Sequence, residues 1–151
     1  MKNPSASPMA RALELAGKAA ALGEVPVGAV IVDSEGQIVA EAYNLTETNH
    51  DPSAHAELLA IRAACAKLGS PRLPDCDLYV TLEPCAMCAA AISFARIKRL
   101  YFGAFDPKGG AVDHGPRFFT QPTCHHAPDI VTGVMEKECG KILREFFKER
   151  R

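Results

Sequence analysis

The sequence of 151 residues lacks the long apolar run that a membrane protein needs. Crossing a bilayer as a helix takes about 20 consecutive apolar residues, and no stretch approaches that length. The first eight residues also lack the basic start and apolar core of a signal peptide. We therefore expect a soluble cytoplasmic protein that does not bind membranes.

Repeats, interdomain linkers and a large net charge are missing as well. We therefore predict one domain over residues 1–151, with residues 1–8 as a loose tail. The formal net charge of −1 gives no support for broad nucleic-acid binding. Residues 96–151 nevertheless hold 11 Lys and Arg against 7 Asp and Glu. Such a basic segment can face a polyanion or form a solvated helix surface, and charge alone favours the second interpretation.

Hydrophobic periodicity predicts helices alternating with strands. Spacings of three and four between apolar residues indicate helices, and short β-branched runs indicate strands. The run Val27–Val32 is continuously apolar, which is typical of a strand buried on both faces. The predicted helices are Met9–Leu22, Ala54–Leu68, Cys85–Ala95 and Val134–Arg150, and the predicted strands are Val27–Val32, Gln37–Tyr43, Asp77–Leu82, Arg99–Ala104 and Asp129–Thr132. Residues 106–128 are rich in Gly and Pro and have no clear assignment. Alternation of this kind predicts an α/β layered fold.

Three residues have the types and spacing of zinc ligands. Cys85 and Cys88 are three apart at a predicted helix start, so their side chains lie on one side of the helix. A helix N-terminus favours negative charge and therefore favours thiolates. Together with His55 they make three protein ligands, whereas structural zinc sites usually have four and catalytic sites leave one position for water. The set predicts a catalytic Zn²⁺ site.

Glu57 completes this pattern as a candidate catalytic residue. It follows His55 by two residues, close enough to exchange protons with a water on the metal without binding the metal. Residues two apart in an ideal helix point to different sides. His55 and Glu57 must therefore lie in the first turn of the helix or at its entry.

Each motif alone has an ordinary explanation. A single histidine is more often a core or surface residue, and C-x-x-C alone is a redox pair or half of a four-cysteine structural site. The combination H-x-E followed by P-C-x-x-C is far more specific, because it is the known signature of zinc deaminases acting on nucleobases. The adjacent residues Cys124, His125 and His126 are poorly placed to chelate one ion, which favours a structural or surface role over a second metal site.

Four segments of the chain resemble the bacterial tRNA-specific adenosine deaminases. Their sequences are E-V-P-V-G-A-V (24–30), D-P-S-A-H-A-E (51–57), L-Y-V-T-L-E-P-C-A-M-C (78–88) and F-F-K-E-R-R (146–151). The resemblance covers nearly the whole chain. The first and last segments matter most for the substrate, because the two zinc segments are shared with guanine and cytosine deaminases.

The resemblance implies a cytidine-deaminase-like three-layer α/β/α fold with a mixed five-stranded central sheet. It implies hydrolytic deamination of adenosine to inosine at the wobble position of tRNA by zinc-activated hydroxide. It assigns the zinc ligands to His55, Cys85 and Cys88 and proton transfer to Glu57. It further implies a homodimer that binds the tRNA anticodon loop.

Two further residues are implied to contact the substrate. The resemblance places Asn44 against the target nucleoside and Asp106 in a loop that touches the RNA. Considered without the resemblance, an Asn after a strand is by default a turn residue. The loop departs from the family pattern at Phe105, at Pro107 and through residues 124–126.

Three functions remain open at this point. The first is deamination of the tRNA wobble adenosine. The second is a free-base deaminase acting on guanine or cytosine, with turnover that is insensitive to salt. The third is a non-catalytic interaction module stabilised by zinc, which requires a fourth protein ligand and gives Glu57 no task.

Overall fold

In the computed structural model, which describes residues 6–150, five strands form one mixed sheet. The strands are β1 (Gly28–Val32), β2 (Ile38–Tyr43), β3 (Asp77–Leu82), β4 (Arg99–Ala104) and β5 (Asp129–Val131). Their spatial order is β2-β1-β3-β4-β5. Strand β1 is antiparallel to β2 and β3, whereas β3, β4 and β5 are parallel. The mixed five-stranded sheet is thereby confirmed.

Helices cover both faces of this sheet. The helices are α1 (Ala6–Ala21), α2 (Ala56–Leu68), α3 (Ala86–Phe94) and α4 (Glu136–Glu149), with a short 3₁₀ helix at Phe118–Thr120. Helices α1 and α4 pack on one face, and α2 and α3 lie on the other. Side chains of β1 alternate between the two cores, and all five residues of the strand are buried. The predicted three-layer α/β/α fold and doubly buried first strand are both confirmed.

The segments that carry the candidate site all lie at one edge of the sheet, the edge formed by the ends of its central strands. Strands β2, β3 and β4 all end at this edge, and the antiparallel β1 begins there: Gly28 pairs with Tyr43, and Leu82 pairs with Ala104. The connections that leave this edge contain residues 44–55, 83–85 and 105–117. Every residue predicted to act in the site belongs to these segments or to the first turn of the helix that follows.

Several predicted boundaries are wrong by a few residues. Helix α1 begins at Ala6 instead of Met9 and so takes in part of the predicted tail, because Pro8 is tolerated in a first turn whose N–H groups have no helical partners. Residues 1–5 of that tail lie outside the described residues. Helix α2 begins at Ala56 instead of Ala54, because the Ser53 N–H donates to Asp51 Oδ1 at 2.8 Å and holds a turn there.

The remaining differences are at other helix and strand ends. Strands β1, β2 and β5 and helices α3 and α4 are each shorter than predicted by one to three residues. Residues 106–128 are irregular apart from the 3₁₀ turn, in agreement with their Gly- and Pro-rich composition. Within residues 6–150, no helix has both the length and the apolar character that a bilayer span requires.

Candidate metal centre and active-site pocket

His55 and Cys85 occupy equivalent places at the beginning of two helices. Each immediately precedes the first helical residue, of α2 and α3 respectively, and each has an extended backbone. Cys88 lies in the first turn of α3 and is fully buried. The unpaired N–H groups at a helix start carry partial positive charge. The starts of α2 and α3 therefore place partial positive charge beside the two cysteines, which stabilises them as thiolates.

The three side chains are arranged as ligands of one ion. His55 Nδ1 lies 3.6 Å from Cys85 Sγ and 3.7 Å from Cys88 Sγ. All three ligand atoms lie within 4.8 Å of one another. Tetrahedral zinc, with Zn–S bonds of about 2.3 Å and Zn–N bonds of about 2.0–2.1 Å, places sulfur and nitrogen ligands about 3.6 Å apart. The donor set and its spacing fit Zn²⁺, and three protein ligands is the number typical of catalytic zinc.

The protonation of the two cysteines also favours a cation at this place. Hydrogen bonds with the Cys88 thiol and with His55 lower the pKa of Cys85 to about 4, so Cys85 is a thiolate at neutral pH. The adjacent Cys85 sulfur and burial raise the pKa of Cys88. The same hydrogen bond with Cys85 raises the pKa of His55. Two thiolates are stable side by side only when a positive ion lies between them.

Glu57 lies beside this centre in the first turn of α2. Its side chain is almost fully buried, and this burial raises the pKa of its carboxyl to about 7, with the Cys85 sulfur acting in the same direction. A carboxyl with a pKa near neutrality can both accept and release a proton during a reaction. The extended backbone of His55 allows both side chains to reach one pocket. The prediction that His55 lies at the helix entry is confirmed.

A small pocket opens beside the centre at the sheet edge. Its volume is about 220 Å³, below the roughly 300–1,000 Å³ of sites that hold drug-sized molecules. It therefore suits a single base better than an extended nucleotide chain. It is lined by three apolar residues and seven polar ones: Val25, Val27, Leu82, Asn44, Thr46, His55, Glu57, Glu83, Cys85 and Asp106. All six residues predicted for the site except Cys88 line it directly.

Asn44 has a structural bond as well as a place in the pocket. The Ala56 N–H donates to Asn44 Oδ1 at 2.8 Å, which satisfies one of the free N–H groups at the start of α2. The bond also fixes the plane of the amide, whose NH₂ group supplies two donors for a ligand. Asn44 thus links the end of β2 to the helix that carries Glu57.

Asp106 forms a tight turn at the other flank of the pocket. Its Oδ1 accepts the N–H of Lys108 at 3.2 Å and the N–H of Gly109 at 3.0 Å. Its carbonyl accepts the N–H of Gly110 at 2.8 Å. The segment that begins at Asp106 is therefore an ordered turn although it contains no regular element.

Two buried carboxylates near the pocket were missed by the sequence analysis. Glu24 and Glu83 are 1% and 2% exposed, and each accepts several hydrogen bonds from a pocket segment. Burial raises a carboxyl pKa, but these bonds outweigh it and the pKa of both groups is lowered. A signal was present, because each is a lone acidic residue at the end of an apolar stretch.

Cys124 and His126 form a hydrogen-bonded group with α3. The Cys124 thiol donates to the His126 carbonyl at 3.2 Å, and the His126 N–H donates to Ser93 Oγ at 3.3 Å. His126 Nε2 lies 2.7 Å from the Ile97 carbonyl oxygen. These bonds fasten the irregular segment to the end of α3, in agreement with the structural role favoured for it.

Known proteins match this arrangement in sequence and in fold. The family model of the cytidine and deoxycytidylate deaminase zinc-binding region matches residues 3–104. The tRNA-specific adenosine deaminase of Agrobacterium fabrum is 62% identical over 128 residues, which cover 85% of this chain and 84% of that protein. The tRNA-specific adenosine deaminase of Rickettsia bellii is 48% identical over 144 residues, which cover 95% of this chain and 99% of that protein.

A solved structure agrees with the fold over most of the chain. It comes from biochemical and structural studies of A-to-I editing by tRNA:A34 deaminases at the wobble position of transfer RNA. The TM-score is 0.89 at 58% identity, with coverage of 91% of this chain and 99% of that one. The matched zinc-binding region contains His55, Glu57, Cys85 and Cys88.

Proposed function

This chain belongs to the family of tRNA-specific adenosine deaminases, and from this we propose that it converts the wobble adenosine of a tRNA anticodon to inosine by hydrolysis. One observation supports the chemistry above all others. The buried carboxyl of Glu57 lies in a small pocket beside the three side chains of the metal-ligand group. A zinc-stabilised interaction module has no use for such a carboxyl.

We assign the zinc ligands to His55, Cys85 and Cys88. Zinc, when bound, supplies the Lewis acidity that makes a water molecule nucleophilic near neutral pH. The two helix starts beside the ligands stabilise the charged thiolates, and the buried position of Cys88 excludes competing solvent from one side of the centre. These residues would therefore hold the metal beside the pocket that His55 and Cys85 line.

We assign proton transfer to Glu57. Its carboxylate takes a proton from the attacking water, whose oxygen forms a bond to C6 of adenine, and gives that proton to the ring nitrogen next to C6. A second proton from the same water passes through the carboxyl to the amino group on C6. The bond between C6 and the amino nitrogen then breaks. The products are inosine and ammonia, and Glu57 ends in the state in which it began.

The base must leave its stack to enter the pocket. An anticodon loop is single-stranded, so turning one base outward costs little compared with opening a duplex. We propose that Asn44 binds the flipped nucleoside through its amide donors and that Asp106 contacts the RNA beside it. Their positions on two flanks of the pocket support these roles.

We propose that the protein is a single-domain homodimer of the cytoplasm. Exposed apolar side chains on α3 support an interface there, with Phe94 at 66% exposure and Met87 at 37%. Residues seven apart in a helix share one face, and an exposed apolar patch, unlike a single exposed residue, is typical of a surface that binds another protein. Light scattering should give twice the mass of the chain, and a Phe94→Asp variant should give half that value.

Replacing Asn44 with alanine should lower kcat/KM for a wobble-adenosine stem-loop. The variant loses both a donor to the base and the bond to the Ala56 N–H. Deleting one buried hydrogen-bonding group costs about 1–3 kcal/mol, which corresponds to a loss of roughly 5- to 150-fold. Asn49→Ala, an exposed change in the same segment, is the matched control and should keep full activity. An unchanged kcat/KM in Asn44→Ala would refute the assigned contact.

Binding of the stem-loop should weaken steeply as salt increases. A protein that neutralises phosphates releases counterions, and the binding constant falls with a slope of about −0.7 per contact on single strands. Inosine should form only at the wobble position, where sequencing reads it as guanosine. A stem-loop with adenosine one nucleotide away is the control. Salt-insensitive turnover of free guanine or cytosine would instead identify the chain as a free-base deaminase.

A further inference from the structure

Glu24 holds the segment that forms one wall of the pocket. Its Oε2 accepts the Thr48 N–H at 2.7 Å and the Thr48 hydroxyl at 2.6 Å. Its Oε1 accepts the Glu47 N–H at 3.2 Å and the Thr46 hydroxyl at 3.3 Å. Thr46 itself lines the pocket. We call this group, Glu24 with residues 46–48, the Glu24 clamp.

Glu83 holds the segment on the other flank. Its Oε1 accepts the Asp106 N–H at 3.0 Å and lies 2.8 Å from His114 Nδ1. Its Oε2 accepts the N–H groups of Val112, Asp113 and His114 at 3.1, 2.9 and 3.2 Å. The side chain of Glu83 is fully buried. This group, Glu83 with residues 106 and 112–114, is the Glu83 clamp.

The Glu83 clamp requires a residue without a side chain at position 110. A Cβ on Gly110 would lie 2.5 Å from the carboxyl carbon of Glu83. The backbone at Gly110 passes so close to the Glu83 carboxylate that this part of the loop has little room to move while the clamp is intact. The clamp therefore fixes the backbone of Asp106 at the pocket.

The two clamps act on different sides of the catalytic centre. Residues 44–48 follow β2 and residues 105–114 follow β4, while β1 and β3 lie between these strands. Neither Glu24 nor Glu83 is among the three side chains that form the metal-ligand group. A buried charge is expensive unless fully hydrogen-bonded, and here that requirement is met by the segments themselves.

We propose that Glu24 and Glu83 are positioning residues that hold the two walls of the base pocket in the binding-competent arrangement before the substrate arrives. The inference rests on the proposed deaminase function and adds to it two residues that lie outside the metal-ligand group. If a wall segment spends only a fraction of its time in the competent arrangement, the apparent dissociation constant rises by the inverse of that fraction. The chemical step after binding is unaffected.

Glu24→Gln and Glu83→Gln test this directly with the zinc-loaded full chain. A Gln keeps the volume but turns an NH₂ donor toward N–H donors, so each clamp loses bonds. We expect KM for the stem-loop to rise about 5- to 30-fold while kcat changes less than about threefold. Glu35→Gln and Asp75→Asn remove a similar charge from exposed positions outside both clamps and are the controls.

Two milder variants keep the test valid if a Gln variant fails to fold. Thr48→Val removes the hydroxyl bond to Glu24, and His114→Ala removes the imidazole from Glu83. Both should raise KM by a smaller factor in the same direction. Amide hydrogen exchange supplies a readout besides activity: exchange of Glu47 and Thr48 should accelerate in Glu24→Gln only, and exchange of residues 112–114 in Glu83→Gln only.

A purely structural role gives a different result. If the carboxylates only stabilise the fold, the variants contain less active protein, so kcat per chain falls while KM stays unchanged, and this result would overturn the proposal. Unchanged amide exchange in the clamped segments would also overturn it. Wild-type turnover separates the two hypotheses: if the wild type deaminates a free base instead of the stem-loop, the proposed substrate fails, and the KM comparison is made on that base.

Discussion

Replacing Glu57 with glutamine should lower kcat for the wobble-adenosine stem-loop by about 10²–10⁴-fold, the range contributed by a positioned general acid–base group. The amide keeps the size of the buried side chain but can neither take the proton of the attacking water nor pass it to the leaving amine. Folding and zinc content should remain those of the wild type, because Glu57 is not among the three residues of the metal-ligand group. Ammonia release under saturating substrate measures the effect.

The control for this prediction is a glutamate of the same charge without a place in the pocket. Glu35→Gln, in the exposed turn between β1 and β2, should retain full activity. Zinc content per chain is measured for both variants, so that a lost metal is not mistaken for a lost proton carrier. A Glu57→Gln protein with bound zinc and a kcat within tenfold of the wild type would contradict the role assigned to Glu57.

Removing zinc should abolish deamination and loosen the fold at the same time. The three ligands connect the starts of α2 and α3, so the ion ties together two helices of the same layer. A metal present at a hundredfold excess over its dissociation constant contributes about 2.7 kcal/mol, or roughly 5–10 °C in Tm for a domain of this size. Dialysis against a chelator should lower Tm by that amount, and added zinc should restore both stability and activity.

The Cys88→Ser variant tests the role of zinc in a second way, by removing one of its ligands instead of the ion. The variant loses one of two thiolate ligands from a buried position, so zinc content and activity should fall together. Cys65→Ser changes a half-buried cysteine of α2 outside the metal group and should keep both. Full activity of Cys88→Ser, or of the chelated protein, would rule out a catalytic metal.

The layers and the metal group were predictable because their signals are local. The uninterrupted apolar run of β1 predicted burial on both faces, and its residues do divide between the two cores. The spacing of Cys85 and Cys88 predicted one shared ligand direction. The need for His55 and Glu57 to face one pocket predicted that they lie in the first turn of the helix or at its entry, and the structure places them there. The fold topology and the wobble adenosine came from the resemblance to a family.

The clamps could not be predicted in the same way, because their bonds join residues distant in the sequence. The Glu24 carboxylate meets residues 46–48 only after β1 and β2 have paired, and Glu83 meets residues 112–114 only after β4 has aligned with β3. Periodicity reports burial of apolar faces and contains no information about such pairs. The start of α2 was misplaced for a different reason, since a local side-chain turn at Asp51 competes with the helix.

The central claim is tested most directly by ammonia release from the zinc-loaded protein with four substrates side by side. These are an anticodon stem-loop with adenosine at the wobble position, free adenine, free guanine and free cytosine. The account predicts turnover of the stem-loop alone, with inosine as the product and no reaction by Glu57→Gln. Turnover of a free base with an inert stem-loop would contradict it.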